Sequence, residues 1–488
     1  MANEGVTTLS YPVRGPVILK YLGQLGLMLA MLTILPLSVS IFWGEYAISG
    51  RYLVVILTLA LLGIPLSRLS VPIALQTNEA LTITALAFFF SPLCMTYPLM
   101  ASGLSFQDAW FEAVSGVTTT GLSVLSSVED QSPSLLFARA WMQWYGGLGI
   151  AILSVALLMG QSIASKKLVE PVPGENFVTT TRTHARRVLG AYVLLTLLGM
   201  VVLLGLQVNP FHAITLTLTA ISTGGFSPFN NSLAGLDSLP ATSFLLLLCV
   251  CGSISLPLFV YTYHHGFRRL ISDVELPALL VFCSLAGLVV GLSLGQHTNL
   301  GWTSALAHGA ALGVSAQTGT GFSTLSLTEI DQTSKSLLMA SMLIGGSAGS
   351  TSGGIKIFRV LIILVLIRVI LQRACAPPHA VIEPWLGNRR LEYEDLTRAL
   401  LLTFLFIAVI FCSWILFLVG GYDPLDALFE VTSATGTVGL STGITGTELP
   451  GWLKGVLCFD MLAGRLEVIA LLMVLYPATW RERRTRAQ

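Results

Sequence analysis

The sequence predicts an all-α, polytopic membrane protein in which ten transmembrane helices surround four re-entrant pore half-helices in a pseudo-four-fold, channel-like arrangement. Three observations carry this prediction. Of 488 residues, 54% are apolar and only 10% charged, with a mean hydropathy of +0.78, more apolar surface than a water-soluble core can hide. Apolar runs long enough to cross a hydrocarbon layer of about 30 Å recur along the whole chain. And one phrase is written four times: DAWFEAVSGVTTTGLS at 108–123 and DALFEVTSATGTVGLS at 426–441, with looser copies HAITLTLTAISTGGFS at 212–227 and HGAALGVSAQTGTGFS at 308–323. A net charge of +1 gives no reason to expect a nucleic-acid partner.

The apolar runs fall at 17–43, 50–68, 80–101, 135–160, 187–207, 241–263, 276–295, 337–371, 399–420 and 453–477. The first is expected to be an uncleaved anchor, because it runs on to Glu45 without a small-residue cleavage site. The first two precede the repeated phrase and form an N-terminal extension, 1–70; the other eight flank the phrase in pairs, giving pore repeats 71–165, 166–270, 271–375 and 376–488. One set of connections carries Arg14, Lys20, Lys166, Lys167, Arg182, Arg186, Arg187, Arg268, Arg269, Arg368, Arg373, Arg389, Arg390, Arg398 and the arginines from Arg481 to Arg486. The opposite set holds Arg51, Lys335 and Lys454 among Glu129, Asp130, Asp237, Glu329, Asp331, Asp423 and Glu448. By the positive-inside rule both termini face the cytoplasm and the repeated loops open to the outside. The connections at 162–185 and 373–397 are too short to hold a nucleotide-binding domain.

Each copy of the phrase reads as a short helix and a loop. Aligned on Gly121, Gly225, Gly321 and Gly439, the copies place Ser105, Asn209, Ala305 and Asp423 sixteen residues upstream. Three of these are good N-caps, with Pro210 and Pro424 at the first helical position, and Ser304 is the expected substitute in the third copy. A helix of about eleven residues is roughly 16 Å long, enough to enter a membrane and too short to cross it. Its C-terminal end turns negative partial charge toward the bilayer middle. The loops that follow are Thr118, Thr119, Thr120 and Gly121; Ser222, Thr223, Gly224 and Gly225; Thr318, Gly319, Thr320 and Gly321; and Gly436, Thr437, Val438 and Gly439. Small residues and glycine let successive backbone carbonyls face an axis, where four strands of oxygens can replace the water around a monovalent cation.

Two features lie off this pattern. The eighth run contains five glycines, Gly345, Gly346, Gly349, Gly353 and Gly354, in ten residues, with Lys356 and Arg359 close behind. Each costs roughly 1 kcal/mol relative to Ala in a helix interior, so an unwound segment lining a cavity is expected. A phosphate loop is excluded because Lys356 follows Ile355 and no soluble strand precedes it. The tenth run contains Arg465, which is expected either to pair with Asp460 or Glu467 or to approach the axis beside the glycine segment as part of a gate. Asp108 and Asp426, near half-helix starts, are expected to serve as caps; Glu112 and Glu430 lie one turn further in, and His212 and His308 are expected to be core residues. The seven cysteines, among them Cys94, Cys249, Cys251, Cys283, Cys412 and Cys458 in apolar runs, show no metal-binding spacing and read as small buried hydrophobes.

Taken together, the four loops, the run GGSAGSTSGGIK at 345–356 and the run MLAGRLE at 461–467 resemble the Trk/Ktr/HKT superfamily of potassium transporters, and within it the bacterial TrkH/TrkG type, over almost the whole chain. The resemblance implies a non-enzymatic potassium uptake protein of the bacterial inner membrane, a homodimer that docks a cytosolic nucleotide-binding ring of TrkA type. It implies potassium as the transported ion, held by loop carbonyls, with no organic cofactor on this chain. The glycine segment and Arg465 would form the gate. In the related HKT proteins a serine at the first loop glycine goes with sodium transport, so Gly121 favours potassium over a sodium-permeable alternative. An intramembrane hydrolase using His212 or His308 with a serine, and a non-conducting scaffold, are the rivals from other classes.

Overall fold

A computed structural model describes residues 7–10, 12–72, 75–161, 177–266, 273–328, 330–377, 379–387, 389–480 and 483–486. Lys166, Lys167, Arg268, Arg269, Glu329 and Arg481, used above for orientation, lie outside the described residues, as does most of the 162–185 connection.

The chain begins with an antiparallel helix pair, α1 (Gly15–Phe42) and α2 (Tyr46–Ser67). The segment expected as repeat 1 then supplies α3 (Thr77–Leu99), α4 (Phe106–Val117) and α5 (Pro133–Gln161), and the other segments are numbered in the same way. Repeat 2 supplies α6 (Phe177–Gly205), α7 (Pro210–Ile221), α8 (Leu239–Ser253) and α9 (Leu256–His265). Repeat 3 supplies α10 (Glu275–His297), α11 (Trp302–Thr318), α12 (Gln332–Leu343) and α13 (Ile357–Cys375). Repeat 4 supplies α14 (Tyr393–Val419), α15 (Pro424–Gly436), α16 (Gly451–Arg465) and α17 (Ile469–Leu475). Among the described residues, strand structure is confined to two short antiparallel pairs, Thr7–Ser10 with Arg483–Arg486 and Trp385–Leu386 with Arg389–Arg390.

Among the described residues, six helices are individually long and apolar enough to cross a membrane: α1, α2, α3, the 185–205 part of α6, α10 and α14. Their outer faces expose Met31, Leu61, Val201, Leu288 and Phe404, the side chains that lipid rather than water accommodates. Cys412 is also exposed on α14, against the expectation that it is buried; Cys249, Cys283 and Cys458 are buried.

Packing follows one rule four times. In each repeat the short helix (α4, α7, α11, α15) lies between the span before it and the span after it, and that following span also packs on the next repeat's short helix: α5 on α7, α8 on α11, α12 on α15, and α16 back on α4. The last contact closes a ring. Ion pairs reinforce two of these junctions. Lys454 of α16 donates to Asp108 of α4 at 2.6 Å, and Lys335 of α12 to Asp426 of α15 at 2.8 Å. The helix starts themselves are capped by Ser105, Asn209 and Asp423, so Asp108 and Asp426 act as links between repeats rather than as the expected caps. Because Lys454 is only 8% exposed, Lys454→Met strands Asp108. It is expected to destabilise the protein by about 1–3 kcal/mol, and the double change with Asp108→Asn should cost less. Melting curves in detergent check this, and equal melting temperatures for single and double variants would show that the pair does not link the repeats.

Three of the expected spans are broken, two of them where a continuous helix was expected. The 241–263 run bends by 89° between α8 and α9, where Pro257 cannot continue the hydrogen-bond ladder. The 337–371 run is interrupted as expected between α12 and α13. The 453–477 run breaks after Arg465, where Glu467 and Val468 take positive φ of 54° and 63°. A β-branched residue there is a genuine backbone outlier, held because the Val468 amide donates to Ala463 O at 2.8 Å and Arg359 pairs with Glu467. In repeat 1, α5 runs on without a break.

Candidate pore and its closure

The short helices end alike. In each, the amide of the second residue of the loop (Thr119, Thr223, Gly319, Thr437) donates to the carbonyl three residues back, at 3.0–3.1 Å. The amide of the third (Thr120, Gly224, Thr320, Val438) donates to the carbonyl five back, at 2.8–3.0 Å. This is the Schellman termination, which demands a left-handed residue at the second loop position. Gly319 meets it without cost, while Thr119, Thr223 and Thr437 take φ of 56°, 51° and 52°, a strained choice for a β-branched residue. The amides are thereby turned back onto the helix ends. Among the described residues, the sixteen loop carbonyls accept hydrogen bonds at two positions, Ser222 O from the Thr223 hydroxyl and Gly224 O from Gln143 Nε2 at 2.6 Å. The rest are left for some other partner.

The third copy differs from expectation. Its helix begins a turn early at Trp302 with Gly301 as N-cap, so neither Ala305 nor Ser304 caps it, and it runs 17 residues where the others run 12 or 13.

The four glycines that end the loops all have positive φ, 89°, 77°, 79° and 96° for Gly121, Gly225, Gly321 and Gly439. A Cβ on Gly121 would overlap the carbonyl oxygen of Gly224; on Gly225, that of Thr320; on Gly321, that of Val438; and on Gly439, that of Thr120. Each glycine thus abuts the neighbouring loop's carbonyl, and the sequence of contacts returns to its start. The loops form a closed ring in which each glycine meets a backbone oxygen of the neighbouring loop. An open cavity of about 550 Å³ adjoins it, lined by all four glycines and by the serine two residues after each. The hydroxyls of Thr119 and Thr437, at the other end of the loops, are buried and have no hydrogen-bond partner among the described residues.

Against that other end lies the glycine segment. Its ends are pinned together by the paired residues Ile344 and Ile355, with the Gly345 amide on Ile355 O at 2.9 Å. The arc between them reaches three repeats. Thr351 Oγ1 donates to Ile221 O and Gly252 O at 3.1 and 2.9 Å and lies 3.2 Å from Thr223 Oγ1. A Cβ on Gly319 would touch Ser352 Oγ, and one on Gly353 would overlap Thr437 Oγ1 and Gly436 O. The break between α8 and α9 receives the arc, Ser253 O accepting from the Ser347 amide at 2.9 Å and Gly349 O from the Leu256 amide at 3.2 Å. Lys356 Nζ bonds back to Ser352 O.

Arg465 joins this assembly rather than an ion pair. Its Nη1 donates to Thr351 O at 2.6 Å and its Nη2 to Gly146 O at 3.3 Å, and it is 2% exposed. The partners expected for it are engaged elsewhere, Glu467 with Arg359 and Asp460 with Ser413. The residues 345–349 also spell the Gly-x-Ser-x-Gly pattern of hydrolase nucleophile elbows. Here no strand precedes Ser347, and its main chain is tied to Ser253 and Ser350. Neither histidine serves it: the His212 ring packs on Phe229 and His308 Nδ1 lies 3.0 Å from Thr324 Oγ1.

Sequence reasoning missed two residues here. Arg139 lies inside an expected span and is 2% exposed; its Nε donates to Glu112 Oε2 at 2.8 Å. A charge within a span is itself a functional signal, and Glu112 was the available counter-charge. Gln143 braces the second loop through Gly224 O and the Phe226 amide, and nothing in its sequence context marks it.

A helical, multi-pass membrane protein whose four repeats close around one axis, with an oxygen-lined ring at their centre, has the architecture of a transport protein. The chain belongs to the TrkH family: the family model, described as cation transport protein, matches residues 47–479. It is 28% identical over 465 residues to an uncharacterized cation transporter of Methanocaldococcus jannaschii, covering 94% of each chain. It is 30% identical over 422 residues to the Trk system potassium uptake protein TrkH of Escherichia coli K12, covering 82% of this chain and 83% of that one. Its structure is similar to the crystal structure of the potassium transporter TrkH from Vibrio parahaemolyticus, with a TM-score of 0.84 at 25% identity, over 96% of this chain and 100% of that one.

Proposed function

We propose that this protein takes up potassium across the bacterial inner membrane through the ring of loop carbonyls at Thr118–Gly121, Ser222–Gly225, Thr318–Gly321 and Gly436–Gly439. The observation that carries the reading is the closed cycle of glycine-to-carbonyl contacts, which brings one carbonyl oxygen from each repeat against its neighbour's loop. Dehydrating a monovalent ion in a medium of low dielectric costs on the order of tens of kcal/mol, so a path through the membrane must return oxygens at the same spacing. Unpaired carbonyls do this without a net charge that would hold the ion too long. The strained threonines keep their amides on the helix ends, and the orphan hydroxyls of Thr119 and Thr437 meet the ion or its water where it leaves the ring.

The glycine segment, with Gly345, Gly346, Gly349, Gly353, Gly354 and Lys356, acts as the gate together with Arg465. It occupies the axis where the ion must emerge and presents fixed positive charge there. Both termini are cytoplasmic, the chain pairs as a homodimer, and a cytosolic nucleotide-binding ring moves the gate. The names of the relatives from Escherichia coli and Vibrio parahaemolyticus support potassium as the ion.

Rubidium uptake into vesicles holding only this protein tests the reading. Uptake should be driven by an inward gradient, competed by potassium far better than by sodium, and indifferent to added nucleotide until a ring subunit is supplied. Absence of uptake would overturn transport, equal competition by sodium would overturn the selectivity, and direct nucleotide binding to the purified chain would overturn the division of labour.

A further inference from the structure

Nine residues before each ring glycine stand Glu112, Leu216, Leu312 and Glu430. Repeats 1 and 4 thus place a carboxylate behind the loop where repeats 2 and 3 place an apolar side chain. Both glutamates are fully buried and grip their own loop in the same way. Glu112 Oε1 accepts from Ser123 Oγ and the Val124 amide, each at 2.7 Å. Glu430 Oε1 accepts from Ser441 Oγ and from the Thr442 amide at 2.9 Å.

Their charge is handled differently. Arg139 neutralises Glu112, donates from Nη2 to Ser123 Oγ at 2.9 Å and stacks 3.8 Å over the Phe226 ring, at the wall of the open cavity. The residue that corresponds to Arg139 in repeat 4, eighteen positions after the glycine, is Leu457. Glu430 Oε2 instead accepts from Thr445 Oγ at 2.8 Å, and among the described residues no cation pairs with Glu430. A main-chain amide can only donate, and the Thr442 amide with the hydroxyls of Ser441, Thr442 and Thr445 directs four hydrogen bonds at Glu430, which favour its charged form against the desolvation of burial. Two other acids near this end of the pore are paired, Asp108 with Lys454 and Asp426 with Lys335, while Lys356 and Arg465 lie on the gate side.

We propose that Glu430 adds an unbalanced negative charge directly behind the cavity-side end of the ring and sets how strongly the ring takes up cations there, Arg139 having cancelled the matching charge of Glu112. Glu430 is a positioning residue for its loop and also a specificity-determining one for cation entry. The inference rests on the transport reading above. It makes the four-fold ring electrically lopsided, with repeat 4 as its negative quadrant.

The test is the half-saturating rubidium concentration for uptake by purified, reconstituted protein. A unit charge within about 10 Å of the path, at an effective dielectric near 20, changes local cation occupancy by about tenfold, so Glu430→Gln should raise the half-saturating concentration by that order. Glu430→Asp, which keeps the charge, should stay close to wild type in this quantity even where maximal rate falls. Adding Arg139→Gln to Glu430→Gln uncovers the Glu112 charge and should bring the value back, a rescue across two repeats that a brace for one loop cannot produce. Equal shifts for Gln and Asp would overturn the proposal, as would a folded double variant without rescue. If the double variant does not fold, the Gln and Asp comparison decides. Wild-type protein without uptake would instead overturn the transport reading itself.

Discussion

Gly121→Ser should lose at least about tenfold in discrimination of potassium over sodium, since a differential cost of about 1.4 kcal/mol at the ring is enough for that factor. Two costs act at once. At φ of 89° any side chain is strained, by about 1–3 kcal/mol, and the new Cβ overlaps the Gly224 carbonyl oxygen, which must move. That carbonyl is one of the two in the ring already held by a side chain, so its displacement also pulls on Gln143 and through it on the Phe226 amide. The ring is distorted on one side, so its oxygens no longer replace the water of potassium at one fixed spacing, and sodium carrying part of its water passes more readily. Because the contacts form a cycle, Gly225→Ser, Gly321→Ser and Gly439→Ser are expected to behave alike, each against its own neighbour's carbonyl. Reversal potentials in mixed potassium and sodium separate this from general loss of function. Wild-type selectivity in any of the four variants would mean that the glycine of that loop does not hold the ring.

The parts of this site that could be read from sequence are those fixed by local chemistry. Ser105, Asn209 and Asp423 cap their helices because a short polar side chain followed by a helical run has one good use there. The loop glycines were legible because four copies in register cannot be chance connections, and the density of glycine at 345–354 forbids a helix whatever surrounds it. What escaped depended on neighbours distant in sequence. The third helix starts a turn early because Trp302 packs its ring against Gly295 of α10, a contact invisible in the copy itself. Val468 breaks its helix with no breaker in sight, held by a carbonyl five residues back and by the pairing of Arg359, more than a hundred residues away, with Glu467. That same pairing removed Glu467 as a partner for Arg465, and a hydroxyl from α14 removed Asp460. Charge pairing in a membrane protein is a competition among all buried groups, and nearness along one helix does not decide it.

Removing the arc 346–353, or replacing Arg465 by Ala, should raise basal rubidium flux several-fold while leaving selectivity at the ring largely as it was. The deletion is mild on the scaffold, because Ile344 and Ile355 already hold the two ends side by side and Gly354 lies against Gly345. What it removes is Thr351 and its bonds to Ile221 O and Gly252 O, Ser352 beneath Gly319, and Gly353 beneath Thr437, the contacts that close the exit from three repeats. Arg465→Ala acts on the same arc from the fourth side. Its Nη1 and Nη2 bond Thr351 O and Gly146 O, which ties the arc to the α5 backbone of repeat 1, while its Nε has no partner among the described residues. An ion pair at this position would have stranded a buried carboxylate on mutation, at a cost of about 3–5 kcal/mol and a poor yield of folded protein. With carbonyls as the acceptors, the alanine variant removes an incompletely satisfied buried charge and should fold at least as well as wild type. Glu467→Ala is the contrasting change, because it leaves Arg359 without its carboxylate and should lower thermal stability. Flux and melting temperature measured on the same preparations distinguish these effects. A well-folded Arg465→Ala protein with unchanged flux would remove Arg465 from the gate, and unchanged flux after deletion of the arc would mean that the exit is closed by something else.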